Sequence, residues 1–409
     1  MPTATRNLDH DVNRLTRQLA GFAVPGRASA DVLRPSDAAW RGLLRSIGEQ
    51  QLSGLAIAAA MAGTFIVSSE QHVQLVSCHR DAMAWALELE RTLLVVRALL
   101  DEAGVSFLVL KGPALAHGPY PDPSWRPFRD LDLLVSGRDW RRAANVLEAA
   151  GFHRGRPEPR TGFDERFGKA AVFASASGVL IDLHHRLVLG PFGLWLNAEE
   201  LFDSAVGFTL GDASLRKLDD TSQFIHTCIH AALGWKPPLL LSIRDVAQVA
   251  GSGTVDADEL FRRAVRWRVS EVIKYAVDAT SKTLEVSRPA CVEPVLAAPT
   301  DRRAVRAVAS YVTDRRMRSG TARSTLLAIP KARDKARYVV DMLFPTRDFL
   351  RARGREGEAD TYRGRWRVMS TWARSRSRAD GSAYRKARKR LSSIGGPQPS
   401  VRRRGGKDA

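Results

Sequence analysis

Two short apolar runs restrict this chain's fold more than any other feature. Val105–Leu110 is apolar and partly β-branched, follows Gly104 and ends at Lys111-Gly112. Asp130-Leu-Asp-Leu-Leu-Val135 is the second run. Each is bounded by turn residues and has the length and make-up of a buried strand. Both lie among long stretches of helical spacing, so a small sheet set among helices is the arrangement that accommodates them.

The neighbouring elements extend this reading. Arg138–Ala150 has amphipathic spacing and stops at Gly151, and Ala170–Ala174 and Val179–Leu187, joined by Ser175-Ala-Ser-Gly178, read as a hairpin. Strand, strand, helix, strand, strand predicts an α+β fold with an α/β-type core, a small mixed sheet flanked by N- and C-terminal helical segments. Upstream, Ser36 and Asp37 can cap a helix in which Trp40, Leu43, Leu44 and Ile47 recur three and four apart. Further helices are expected at 49–62 and 71–103, the latter striped by Leu87, Leu94 and Ala98, and later near 219–233, 239–250, 256–268 and 270–285. The expected divisions are a flexible N-terminus at 1–35, broken by Pro25, Gly26 and Pro35, a helical segment at 36–103, a sheet-bearing core at 104–190 and a helical domain at 191–300. A basic, partly helical extension at 301–372 keeps enough apolar residues to dock at Tyr338–Phe344 and around Trp366–Trp372, and 373–409 reads as an Arg-rich disordered tail.

Composition narrows the class. The 409-residue chain is formally +19, with 63 Lys and Arg against 44 Asp and Glu, yet residues 301–409 hold 30 basic and 10 acidic side chains and leave 33 against 34 for the rest. A near-neutral body therefore carries a basic final quarter. A hydrophobic content of 44% suits a globular protein and excludes wholesale disorder, collagen and coiled coil. Cys78, Cys228 and Cys291 match no disulfide or metal spacing, and Met1–Ala20 lacks the apolar stretch of a secretory signal, so the expectation is cytoplasmic. The apolar run Leu52–Val67 falls short of the ~20 residues needed to cross a bilayer. No membrane span is expected.

The chemistry gathers at Asp130 and Asp132. Side chains two apart on a strand point to one face, about 6–7 Å apart. A carboxylate pair on a buried strand is costly unless cations neutralise it. Mg²⁺ is the natural hard partner, and two ions about 3.5–4 Å apart can hold the attacking and leaving oxygens of an in-line phosphoryl displacement. Asp182, in Val179-Leu-Ile-Asp-Leu-His-His185, is a candidate third carboxylate. Surface alternation is the competing reading of a bare Asp-x-Asp.

The run Phe107-Leu-Val-Leu-Lys-Gly-Pro-Ala-Leu115, with Tyr120-Pro-Asp-Pro123, Arg126-Pro-Phe-Arg-Asp-Leu-Asp-Leu-Leu-Val135, Ala149-Ala-Gly-Phe152 and Ile181-Asp-Leu-His184, resembles the uncharacterised nucleotidyltransferase family of the DNA polymerase β-like superfamily. The resemblance covers roughly residues 36–350, and its middle motifs are the specific ones. It implies that 104–190 is a nucleotidyltransferase catalytic core, that Asp130, Asp132 and Asp182 are catalytic and bind two Mg²⁺ ions, and that Asp182 helps activate the acceptor hydroxyl. Lys111 and Gly112 stand where most of the superfamily has Gly-Ser, so the resemblance implies a lysine charge and a close backbone approach to the NTP phosphates. Arg126 is implied as a nucleotide-binding residue, with a structural ion pair as the alternative. His184 matches a family position and is implied at the site edge, with a hydrogen-bonded structural role as the alternative.

Other signals are weaker. His226 and His230 have i, i+4 spacing without the intervening Glu of a zinc protease, and packing is preferred to metal binding. Arg244-Asp245 reads as a buried ion pair, with acceptor contact as the alternative. Gly251-Ser-Gly253 has no phosphate-loop context, and a Gly-x-Ser-x-Gly nucleophile motif is absent. The expected activity is Mg²⁺-dependent transfer of a nucleoside monophosphate from an NTP such as ATP to the hydroxyl of an acceptor, a small molecule by family analogy. A catalytically silent nucleotide-binding protein, or an enzyme acting on RNA or protein, is the alternative. Arg374–Arg390 and Arg402–Arg404 can contact polyanions nonspecifically, although Trp372 and Tyr384 are too sparse for a base-stacking platform.

Overall fold

The computed structural model describes residues 2–27, 32–234, 237–313 and 319–354. Among them one mixed sheet of seven strands forms: β1 Phe107–Val109, β2 Leu131–Val135, β3 His153–Arg154, β4 Ala170–Ala174, β5 Leu180–His184, β6 Val206–Leu210 and β7 Ala213–Lys217, in the order β3-β4-β5-β2-β1-β7-β6. β2 runs antiparallel to β1 and parallel to β5, and β1 runs parallel to β7. β1 and β2 are buried along their whole lengths. That explains why they read as continuous apolar runs rather than as alternating ones.

The two faces of the sheet meet different helices. Phe107, Val109, Leu131, Leu133, Ile181 and Leu183 pack with Leu89, Leu93 and Leu100 of the helix Ser69–Glu102 and with Ala143 and Leu147 of Trp140–Ala149. Ser68 starts the first of these helices with a reciprocal capping box to Gln71, and Gly104 follows it at φ +64°. On the opposite face, Leu108, Leu110 and Leu134 join a larger core with Phe224, Ile225, Val246 and Ile273 from the helices Asp220–Leu233, Leu240–Gly251 and Ser270–Leu284. The site-bearing strands therefore lie between two apolar layers.

Two expectations differ from the observed elements. The stretch expected to be flexible at 1–35 contains the helix Pro2–Ala20, whose Leu15 and Leu19 are buried in the larger core. The segment 191–300, expected to be helical, also supplies β6 and β7, so the sheet continues past residue 190. The apolar run 52–67 contains a buried helix, Ser53–Met61, and no helix among the described residues is long and apolar enough to cross a membrane.

The basic extension is helical at Arg302–Thr313, Ser319–Ala328, Ala332–Leu343 and Arg347–Gly354. Tyr338 packs against Phe163 and Phe167 of the core, and the Thr346 amide donates to the Pro159 carbonyl at 2.8 Å. The expected docking around Trp366–Trp372 and the Arg-rich tail at 373–409 lie outside the described residues.

Candidate active site

Strand register builds the site. Asp132 sits inside β2 and pairs in register with Asp182 of the parallel strand β5. The two-residue period of β5 returns His184 to the face that carries Asp182. His184 Nε2 lies 3.0 Å from Asp132 Oδ1 and 3.9 Å from Asp182 Oδ2, while its Nδ1 lies 3.1 Å from the Arg186 carbonyl oxygen. A carbonyl only accepts, so Nδ1 carries a hydrogen in that contact. One ligand atom from each of Asp132, Asp182 and His184 lies within 4.8 Å of the others.

Asp132 is only 2% exposed. An unpaired carboxylate at that depth would be prohibitively unfavourable. Lys111 Nζ answers it, 3.0 Å from Oδ2, although Oδ2 accepts no well-angled hydrogen bond. Burial alone would raise the Asp132 pKa, but the Lys111 charge and the His184 hydrogen bond hold it well below the ordinary carboxylate value. For Lys111, burial pulls the pKa down, and the charges of Asp132 and Asp130 outweigh it and raise the value. The pair is thus fully charged, with the lysine held at the carboxylates rather than in solvent.

Asp130 stands one residue before β2 and outside the three-residue ligand group. It remains close enough to be governed by that group: burial first, then repulsion from Asp132, pushes its pKa up to about 6. Gly112 turns the chain at φ +53° and ψ −116°, a conformation that glycine adopts freely, and a Cβ there would meet the Phe128 ring at 3.2 Å.

Arg126 has a different place from the one expected of a phosphate ligand. Its Nε and Nη2 each donate at 2.8 Å to the Asp245 carboxylate, to which Tyr120 Oη also donates at 2.8 Å, and Nη1 reaches the Gly112 carbonyl at 3.4 Å. Only 4% of Arg126 is exposed. Its guanidinium ties the Lys111-Gly112 turn to the helix Leu240–Gly251. The expected Arg244-Asp245 ion pair is likewise redistributed: Asp245 takes Arg126, and Arg244 donates to Gln248 and to the carbonyls of Ala20 and Phe22.

Residues from the helical domain close the site from above. Gln223 donates to the Leu110 carbonyl at 3.0 Å and pins the helix Asp220–Leu233 over the end of β1. His226, one turn further on, is buried, and its Nδ1 has no hydrogen-bond partner among the described residues. Burial, then the Lys111 charge, lowers its pKa to about 3, and His230 is lowered by the same two causes. The i, i+4 spacing of these histidines was the sequence signal; the contact of their helix with β1 was not legible.

The donor set fits a divalent cation. Two carboxylates and an imidazole converge, and a buried carboxylate oxygen is left without a directed hydrogen bond. In-register aspartates on neighbouring strands thus lie beside a Lys-Gly turn on a mixed sheet. The chain belongs to the uncharacterised nucleotidyltransferase family, which it matches over residues 36–285. Among solved structures it is similar to an antigenic nucleotidyltransferase-like protein from Paracoccidioides brasiliensis, at 14% identity and a TM-score of 0.31, over 49% of this chain and 93% of that one. Comparison with curated proteins finds no match.

Proposed function

We propose that the protein transfers a nucleoside monophosphate from an NTP to the hydroxyl of a small-molecule acceptor and releases pyrophosphate. The observation that carries this reading is the in-register pairing of Asp132 with Asp182, with Lys111 at 3.0 Å from Asp132. The acceptor oxygen forms a bond to the α-phosphorus, the bond from that phosphorus to the β-bridging oxygen breaks, and pyrophosphate carries away the electron pair. Asp182, the more open of the two in-register carboxylates, takes the acceptor's proton. Lys111 exchanges its hold on Asp132 for the phosphate oxygens, and the Gly112 turn lets the backbone come close to them. Arg126 keeps that turn fixed. Divalent ions, Mg²⁺ in the simplest case and two in number, would be held by Asp130, Asp132 and Asp182 and supply charge neutralisation on the triphosphate. A cytoplasmic setting suits three cysteines that are all free.

The test is incubation of the full chain with each labelled NTP, a divalent ion and a panel of hydroxylated acceptors. Asp182→Asn should lower turnover about 10²- to 10⁴-fold. Asp132→Asn should abolish it. If calorimetry finds no metal-dependent NTP binding by the wild type, the chain is a silent scaffold and the proposal fails.

A further inference from the structure

We propose that His184 is a metal ligand, and that with Asp132 and Asp182 it forms a mixed nitrogen–oxygen site that takes a first-row transition ion such as Mn²⁺ in preference to Mg²⁺. The proposal rests on the metal-dependent reading above and goes beyond it in the ligand set and in the ion.

Geometry comes first. Ligands about 2.1 Å from a common octahedral centre stand about 3 Å apart when adjacent and about 4 Å apart when opposite. His184 Nε2 lies at 3.0 Å from Asp132 Oδ1 and 3.9 Å from Asp182 Oδ2, within that range. The far side of the ring is also arranged as a ligand requires. A metal-bound histidine typically donates its other N–H to a carboxylate or backbone carbonyl, and the ion takes the inner nitrogen; here it would replace the proton that Nε2 shares with Asp132. His184 Nδ1 meets the Arg186 carbonyl at 3.1 Å.

Two buried polar atoms point the same way. Asp132 Oδ2 has no directed hydrogen bond, and His226 Nδ1, on the helix that Gln223 ties to the Leu110 carbonyl, has no partner among the described residues although only 2% of that residue is exposed. Polar atoms at such depth are nearly always satisfied; Lys111 supplies a counter-charge to Asp132 Oδ2 at 3.0 Å, whereas the His226 nitrogen has no partner among the described residues.

Donor chemistry then selects the ion. Mg²⁺ favours an oxygen shell and keeps its water. Imidazole nitrogen favours the first-row transition ions, and Mn²⁺ tolerates both donor types. Were His184 only a structural hydrogen-bond partner of Asp132, its nitrogen would never enter the coordination shell.

The experiment uses the full chain with Mn²⁺ alone as the probe and no nucleotide. Electron spin-echo modulation of bound Mn²⁺ should show coupling to ¹⁴N that becomes ¹⁵N coupling when the histidines are ¹⁵N-labelled, a measurement that needs no variant. His184→Gln should remove the coupling and weaken Mn²⁺ binding by at least about tenfold, whereas His226→Gln should keep the coupling. Competition should show Mg²⁺ displacing Mn²⁺ only at more than about tenfold excess. Bound Mn²⁺ without nitrogen coupling, coupling that persists in His184→Gln, equal competition by Mg²⁺, or no Mn²⁺ binding would each overturn the assignment. A chain that binds Mn²⁺ through His184 yet moves no nucleotide would leave this assignment standing and remove the catalytic one.

Discussion

Asp132 tolerates its depth because a lysine and a histidine answer its charge from two sides. Removing either changes the balance, and Lys111→Met should destabilise the fold by about 3–5 kcal/mol, read by denaturant unfolding, because a buried carboxylate is left short of a counter-charge. Asp130 behaves in the opposite way. Its pKa in the folded protein is raised to about 6 from an ordinary 3.8, so the folded state holds the proton more tightly than the unfolded chain. Ionising it as pH rises from 3.8 through 6 therefore removes stability. Asp130→Asn should gain about 1–2 kcal/mol at pH 7 in a chelator and nothing near pH 4, and an equal Tm shift at both values would contradict this. The three aspartates and Lys111 stood out in the sequence because charges inside apolar runs are rare. Arg126 was recognisable as a candidate, but its partner Asp245 lies 119 residues away. No local pattern reveals such a pairing.

At the scale of elements, legibility followed how much each element buries. β1 and β2 were readable because they are apolar throughout, and the extent of the helix Ser69–Glu102 was readable, but its expected stripe of Leu87, Leu94 and Ala98 is exposed and the buried face is instead Leu89, Leu93, Val96 and Leu100, since apolar residues stand on both sides of this helix. β6 and β7 were not: Val206–Leu210 is a largely exposed edge strand, and Ala213–Lys217, between it and β1, has a polar content that hides its half-buried alternation. The N-terminal helix did carry a signal, Val12, Leu15 and Leu19 at spacings of three and four, which the charged residues between them and the nearby prolines obscured. Turn geometry is also an element property. Gly112→Ala places a Cβ on a positive-φ turn and 3.2 Å from the Phe128 ring, and should cost about 1–3 kcal/mol while weakening NTP binding in calorimetry. Unchanged NTP affinity would separate the turn from phosphate recognition.

At the scale of the whole molecule, acid sensitivity is built in by histidines kept neutral in the interior. Burial, then Arg186, pushes His185 down to about 3; burial, then Lys111, does the same to His226; and His230 is lowered likewise. Their unfolded values lie near 6.5, so below that pH the unfolded chain takes up protons that the folded one refuses. Stability should be full above pH 6.5 and fall toward pH 3 by up to roughly 1.4 kcal/mol per pH unit for each of His185 and His226, with His230 acting in the same direction and the Asp130 effect running the other way. A Tm profile flat between pH 7 and 4 would refute it. Asp245→Leu should cost about 3–5 kcal/mol by stranding Arg126, and the double change with Arg126→Leu should recover part of that. This Arg126–Asp245 clasp has a consequence for descent by recombination. A fragment ending near residue 190 would carry Asp130, Asp132, Asp182 and the lysine turn, but it would bring Arg126 without its counter-charge and Leu108, Leu110 and Leu134 without their cover. The sheet is therefore poorly suited to being exchanged between proteins as a cassette, and changes in substrate range are expected to arise at the rim of the joint fold rather than by swapping the helical half.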